Sequence, residues 1–231
     1  MSIEQSLTQV QQRIENACQQ YGRESNNITL LAVSKTRPVE ALRQAIEAGQ
    51  QCFGENYLQE SLEKIAALKP QKLEWHFIGP IQSNKTRPIA ESYDWVHSVD
   101  RLKIAQRLSE QRPQQLALLN ICLQVNVDGE ASKSGCSLDE LPELVARVVT
   151  LPGIRLRGLM AIPQAHTEFE QQRRSFRLLR EAMTALQQQG YELDTLSMGM
   201  SGDLEAAIAE GATIVRIGTD IFGPRNYPAK S

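Results

Sequence analysis

Eight short runs of β-forming residues alternate with amphipathic stretches along the 231-residue chain, and this alternation most restricts what it can fold into. The first run, residues 28–33 (Ile-Thr-Leu-Leu-Ala-Val), is apolar almost without a break, as a strand buried on both faces must be. Further runs lie at 52–53, 75–78, 95–99, 118–127, 154–160, 195–197 and 213–217. Helical signals separate them. Pro38 suits a first helical turn, Val39, Leu42 and Ile46 share one face, and Gly49 supplies a stop. Ser137 and Glu140 have capping-box spacing ahead of a stripe of Leu138, Leu141, Val145 and Val148, although Pro142 draws the regular helix toward itself. A long helix over 168–189 stops at Gly190, and a shorter one over 204–210 stops at Gly211.

Eight units in 231 residues average about 29 residues each, the spacing of a (β/α)8 TIM barrel. The expectation is therefore an α/β chain forming one barrel domain over residues 1–231. The segment before the first strand reads as an extra N-terminal helix covering it. An open, doubly wound sheet is the alternative. The barrel is preferred because polar motifs follow many strands rather than gathering at one switch point.

Composition narrows the functional classes. The hydrophobic share is 41% but aromatics are only 5%, so aliphatic strands supply most of the core. A net charge of −2 with a pI near 6.0 gives no basic stripe for nucleic acid. The first twenty residues are polar and amphipathic, without the basic start and apolar run of a secretory signal. The longest apolar stretch, 116–127, is interrupted by Asn120, Gln124 and Asn126 and is too short to span a bilayer. Cys18, Cys52, Cys122 and Cys136 form no CxxC pair, so free thiols in a reducing cytoplasm are expected.

A barrel carries its site at the C-terminal ends of its strands. Those ends read Ser34-Lys35, Gly54-Glu55-Asn56-Tyr57, Ser132-Lys133-Ser134-Gly135, Met198-Gly199-Met200-Ser201-Gly202 and Arg216-Ile217-Gly218-Thr219. Ser201 and Gly202 open a helix, where backbone N–H groups favour an anion. Gly218 permits close approach to a ligand, and Thr219 adds a hydroxyl. These residues are a phosphate site or an ordinary N-cap and turn, and Asp203 counts against the phosphate unless its carboxylate points away. Lys35 is either a solvated loop lysine or a shielded amine able to form a Schiff base. Arg216 either aims a fixed charge at a ligand atom or makes a rim salt bridge.

The stretches Leu30-Leu31-Ala32-Val33-Ser34-Lys35-Thr36, Phe53-Gly54-Glu55-Asn56-Tyr57, Trp75-His76-Phe77-Ile78-Gly79, Leu196-Ser197-Met198-Gly199-Met200-Ser201 and Val215-Arg216-Ile217-Gly218-Thr219 together closely resemble the pyridoxal-phosphate homeostasis proteins. The resemblance covers nearly the whole chain in order. It implies a barrel like the N-terminal domain of alanine racemase, with pyridoxal phosphate held by Lys35 as a Schiff base. By motif, Ser201, Gly218 and Thr219 would hold the phosphate, Arg216 would face the pyridine nitrogen, and Asn56 would lie beside the ring. It further implies a cofactor holder with little or no turnover, a monomer, and pyridoxal-phosphate-dependent apoenzymes as partners. Only the short tail 220–231 follows the last strand, so the β-domain tyrosine of racemases is not expected.

Rival readings are a Schiff-base enzyme of the racemase or aldolase kind, a metal hydrolase and a protein-interaction module. His76 and His97 lie on successive strands, but no HxH or HExxH pattern supports a metal. The Gln- and Arg-rich helix over 168–189 reads as ordinary solvated surface. Lys133, on a Ser/Gly-flanked loop, is a candidate for helping to transfer the cofactor.

Overall fold

The computed structural model describes residues 1–130 and 133–224. Eight strands, β1 (Thr29–Val33), β2 (Cys52–Glu55), β3 (Glu74–Phe77), β4 (Trp95–Val99), β5 (Leu119–Gln124), β6 (Ile154–Met160), β7 (Thr195–Ser197) and β8 (Ile214–Ile217), each pair in parallel with the next. β8 pairs back onto β1, so the sheet closes into a barrel and the open-sheet alternative falls away. The helices between strands are α2 (Val39–Glu47), α3 (Leu58–Ala67), α4 (Thr86–Ser92), α5 (Leu102–Gln111), α6 (Leu141–Val148), α7 (Phe169–Gln188) and α8 (Leu204–Ala209), with α9 (Thr219–Phe222) after β8.

The extra helix is α1 (Ile3–Gln20), started by a capping box between Ser2 and Gln5. Its buried stripe, Leu7, Val10, Ile14 and Ala17, recurs at helical spacing and packs against α2, α8 and α9.

Two strand ends differ from the sequence pattern by more than one residue. β2 runs on through Gly54 and Glu55, which pair with His76 and Phe77. A glycine and a carboxylate break the apolar signal there, although Glu55 is fully buried. β5 stops at Gln124, because the chain beyond it folds back: Val125 bridges Cys136, and the Asn126 N–H donates to the Cys136 carbonyl at 2.9 Å. The Ser137–Glu140 capping box forms in the turn ahead of α6, and Pro142 stands at the helix start, where its missing N–H costs nothing.

Strand alternation divides the core. Outward residues such as Phe53, Trp75, Val96 and Ile121 join Leu108 and Phe176 from the helices in the main apolar layer. Inside the ring, Leu31, Trp95, Cys122, Met160 and Ile214 form a smaller separate cluster. His76 stacks on Trp95 at 5.5 Å between centroids, so polar side chains share that interior.

Gly158 lies in β6 where its register against β5 shifts, and it faces Thr195 of β7. A Cβ at Gly158 would stand 1.8 Å from the Thr195 carbonyl oxygen, a backbone atom that cannot move aside. Gly158→Ala is therefore expected to destabilise the barrel by about 3 kcal/mol. Thermal melting checks this, with Tm falling by roughly 6–12 °C; an unchanged Tm contradicts it.

Candidate cofactor site

Ring closure sets the site. β1 pairs with β8 in the register Leu31↔Arg216 and Ala32↔Ile217, so the turns that follow the two strands lie side by side. Half-buried Lys35 occupies the first turn, and Gly218 and Thr219 occupy the second. A cavity of about 300 Å³ at this end is lined by Lys35, Asn56, Ser201, Arg216, Gly218 and Thr219, all six residues singled out from the sequence. Arg37, Val33, Ile78, Ile162, Met200 and Gly202 complete the wall.

The turn bearing Lys35 is held under strain. Thr36 has φ 63°, a left-handed conformation that a β-branched residue rarely adopts. Its N–H donates to Glu60 Oε1 at 2.7 Å. Lys64 Nζ donates to the same carboxylate, to the Ser34 carbonyl at 2.7 Å and to Glu55 Oε1 at 2.7 Å. Ser34 Oγ also donates to Glu55 Oε1 at 2.7 Å. One buried lysine thus ties the ends of β1 and β2 to α3. Burial pushes the Glu55 carboxyl above the ordinary range, with Lys64 acting in the opposite direction. The sequence reading missed Lys64 and Glu60, whose i,i+4 spacing passes for a solvated pair on a helix face.

Arg216 is 4% exposed and makes no rim salt bridge among the described residues. Its Nη1 donates to the Ser197 carbonyl at 2.6 Å and to Ser197 Oγ at 2.8 Å, and its Nη2 donates to the Ala161 carbonyl at 2.9 Å. Burial lowers its pKa to about 10, with Asp203 and Cys122 opposing the shift, so it remains a cation at neutral pH.

Ser201 and Gly202 form the turn ahead of α8 rather than its first residues. Asp203 is the N-cap, and its Oδ1 accepts from the Met200 N–H at 2.6 Å, which turns the carboxylate back onto the chain. That turn is braced from outside. Arg13 of α1 donates to the Ser201 carbonyl at 3.1 Å, pairs with Glu205 at 2.9 Å, and pairs with Asp220 of α9. Gly218 has a second reason to be glycine, since a Cβ would stand 3.2 Å from the Val33 carbonyl oxygen across the β1–β8 seam. Asn56 Oδ1 is buried without a hydrogen-bond partner among the described residues.

Lys133 is ion-paired with Asp128 at 2.8 Å and with Glu130 at 3.3 Å. Asp128 also accepts from the Gln164 N–H and from Ser175 Oγ, so a role for Lys133 in transfer requires it to leave an organised partner. Ser132 and residues 225–231 of the tail lie outside the described residues. Among the described residues, Cys52, Glu74 and His76 place three donor atoms within 4.8 Å of one another. They satisfy each other: the Cys52 thiol and His76 Nε2 both reach Glu74 Oε1.

The family model for the N-terminal domain of alanine racemase matches residues 6–226. A pyridoxal phosphate homeostasis protein of Pseudomonas aeruginosa is 60% identical over 99% of this chain and 98% of its own. This chain belongs to the pyridoxal phosphate homeostasis protein family. Another solved structure, PipY of Synechococcus elongatus with PLP bound, is 34% identical with a TM-score of 0.84, covering 96% of this chain and all (100%) of PipY. Alanine racemase from Corynebacterium glutamicum shares the fold at 14% identity and a TM-score of 0.71, over 99% of this chain and 64% of the racemase. No helix among the described residues of this family member is long and apolar enough to cross a membrane.

The buried lysine offers a direct test. Lys64→Met leaves Glu55 buried and uncompensated beneath the Lys35 turn, and the expected loss is about 3–5 kcal/mol. The double variant Glu55→Gln/Lys64→Met should recover much of it. Denaturant unfolding checks both, and a single variant as stable as the parent contradicts the assignment.

Proposed function

We propose that this chain binds pyridoxal phosphate through Lys35 and holds it for intracellular homeostasis or delivery, with little or no catalytic turnover. The observation that carries this reading is the convergence of Lys35, Asn56, Ser201, Arg216, Gly218 and Thr219 on one cavity. The name of the 60% identical relative and the PLP-bound state of PipY support it.

The lining fits the ligand. Its ionisable side chains among the described residues, Lys35, Arg37 and Arg216, are all cationic groups, which suits a phosphorylated molecule. Ser201, Gly202, Gly218 and Thr219 offer backbone N–H groups and hydroxyls in the turns that open α8 and α9. The unpartnered Asn56 Oδ1 is an acceptor without a donor, as a ring-substituent hydroxyl would satisfy.

When bound, pyridoxal phosphate supplies an aldehyde that reacts reversibly with a primary amine and a ring that withdraws electrons. Lys35 is the amine, presented from a turn that Thr36, Glu60 and Lys64 keep in one conformation. Arg216 would face the pyridine nitrogen. A guanidinium keeps its protons, so that nitrogen would stay unprotonated and the ring would be a weaker electron sink. Two-base chemistry also needs a second proton-exchanging group across from Lys35, and the other ionisable groups of the lining are guanidiniums, which do not exchange readily at neutral pH. On this reading the barrel is a single functional domain that acts as a cytoplasmic monomer and has pyridoxal-phosphate-dependent apoenzymes as recipients.

The absorption spectrum of purified protein is the decisive measurement. The protein should be yellow, borohydride should bleach it, and the reduced vitamin's mass should then be found on Lys35. Lys35→Ala should purify without a covalent adduct. A colourless parent protein favours a Schiff-base aldolase, and a robust racemase or decarboxylase rate lost in Lys35→Ala overturns the holder reading.

A further inference from the structure

Five polar side chains cross the barrel interior where apolar packing is the usual filling. Glu74 stands at the start of β3 with its side chain 45% exposed, and its Oε1 lies 2.8 Å from His76 Nε2. His76 Nδ1 lies 2.9 Å from His97 Nε2, and His97 Nδ1 lies 2.7 Å from Ser197 Oγ. Ser197 Oγ in turn lies 2.8 Å from Arg216 Nη1. The side chains come from β3, β4, β7 and β8, so the contacts run unbroken from one side of the ring to the other. His76, His97, Ser197 and Arg216 are all buried.

We propose that Glu74, His76, His97 and Ser197 form a single polarised hydrogen-bond chain that positions Arg216 for the ring nitrogen of the bound cofactor. This rests on the pyridoxal phosphate reading of the cavity. None of the four lines the cavity, so they act through Arg216 as positioning residues.

The proton pattern follows from what each group can do. A guanidinium only donates, so Ser197 Oγ accepts from Arg216. An ionised carboxylate only accepts, so His76 Nε2 carries a proton toward Glu74; the His76 contact holds the Glu74 carboxyl below its ordinary range. Arg216 already places one cation in this interior, and a second imidazolium charge beside it would be costly. Burial first, and the Arg216 charge with it, push His97 well below the ordinary histidine range, so His97 is neutral. With His97 neutral and the Ser197 hydroxyl donating to it, one arrangement satisfies every contact. The Ser197 hydroxyl donates to His97 Nδ1, His97 Nε2–H donates to His76 Nδ1, and His76 Nε2–H donates to Glu74. All the donors point from the guanidinium toward the carboxylate, so the two charged ends polarise each bond in the same sense. Ser197 then has no free rotor state, and Arg216 has a fixed partner besides the Ser197 and Ala161 carbonyls.

The test has two independent arms. In full-length protein freed of ligand, long-range ¹H–¹⁵N correlation of ¹⁵N-histidine should show His76 and His97 as neutral Nε2–H tautomers, and Ser197→Ala should shift the His97 Nδ1 resonance. In loaded protein, Ser197→Ala and His97→Leu should release pyridoxal phosphate roughly tenfold faster, the loss of one hydrogen bond to a charged group, with a displaced absorption band. His97→Asn, whose Oδ1 can accept where Nδ1 does, should stay nearer the parent. Finding His97 as an Nδ1–H tautomer or as a cation overturns the chain. So does a folded Ser197→Ala or His97→Leu with parental spectrum and release. If these variants do not fold, the parent tautomers alone decide. A parent protein that takes up no pyridoxal phosphate refutes the cofactor reading, while the ligand-free tautomers still judge the chain.

Discussion

The pairing of β8 with β1 is the constraint on which the rest of this structure depends. Without that seam the apolar runs would form an open sheet, and the residues after the first and last strands would lie at opposite edges. With it, an amine from residue 35 and the turn at residues 218–219 become neighbours although nearly the whole chain separates them. The seam is tight at Gly218, where a Cβ would crowd the Val33 carbonyl oxygen at 3.2 Å. Closure also creates a buried interior, and there Arg216 is satisfied by carbonyl oxygens of Ser197 at the end of β7 and Ala161 just beyond β6.

Electrostatics in this molecule is local rather than global. A chain of net charge −2 gathers Lys35, Arg37 and Arg216 around one cavity. Each cation near the mouth is restrained by a different device. Arg216 is held by backbone carbonyls, Arg37 by the carbonyl of Gly223, and the turn of Lys35 by the buried Lys64 beneath it. Desolvating these groups is costly, and a ligand anion is the natural compensation. This arrangement explains how a small acidic protein can select a phosphorylated molecule without an extended basic surface.

Much of this was legible in the sequence, and what was hidden follows a physical pattern. The barrel followed from nearly unbroken apolar runs alternating with period-3.6 stripes, and the six lining residues followed from reading strand ends, because closure brings strand ends together. The hidden parts are polar groups whose partners are remote in sequence. Lys64 and Glu60 have surface-like spacing, and only the burial of Glu55 behind them reveals their work. Arg13 lies on the solvent-looking side of an N-terminal helix, and its partners, Ser201, Glu205 and Asp220, come almost two hundred residues later. His76 and His97 lie on successive strands without a metal-binding pattern, and no one-dimensional pattern says that they touch each other and Ser197. The early end of β5 and the late end of β2 share one cause, since backbone pairing decided both where side-chain polarity suggested otherwise.

The brace from Arg13 ties an outer helix to the strand ends. Its guanidinium holds the carbonyl at Ser201 and pairs with Glu205 and with Asp220 of α9, while its helix packs outside the ring on α2, α8 and α9. The turn after β7 and the turn after β8 are thereby fastened to one side chain that does not line the cavity between them. A change in the seat of that helix is therefore felt at both turns together, by way of a single planar group.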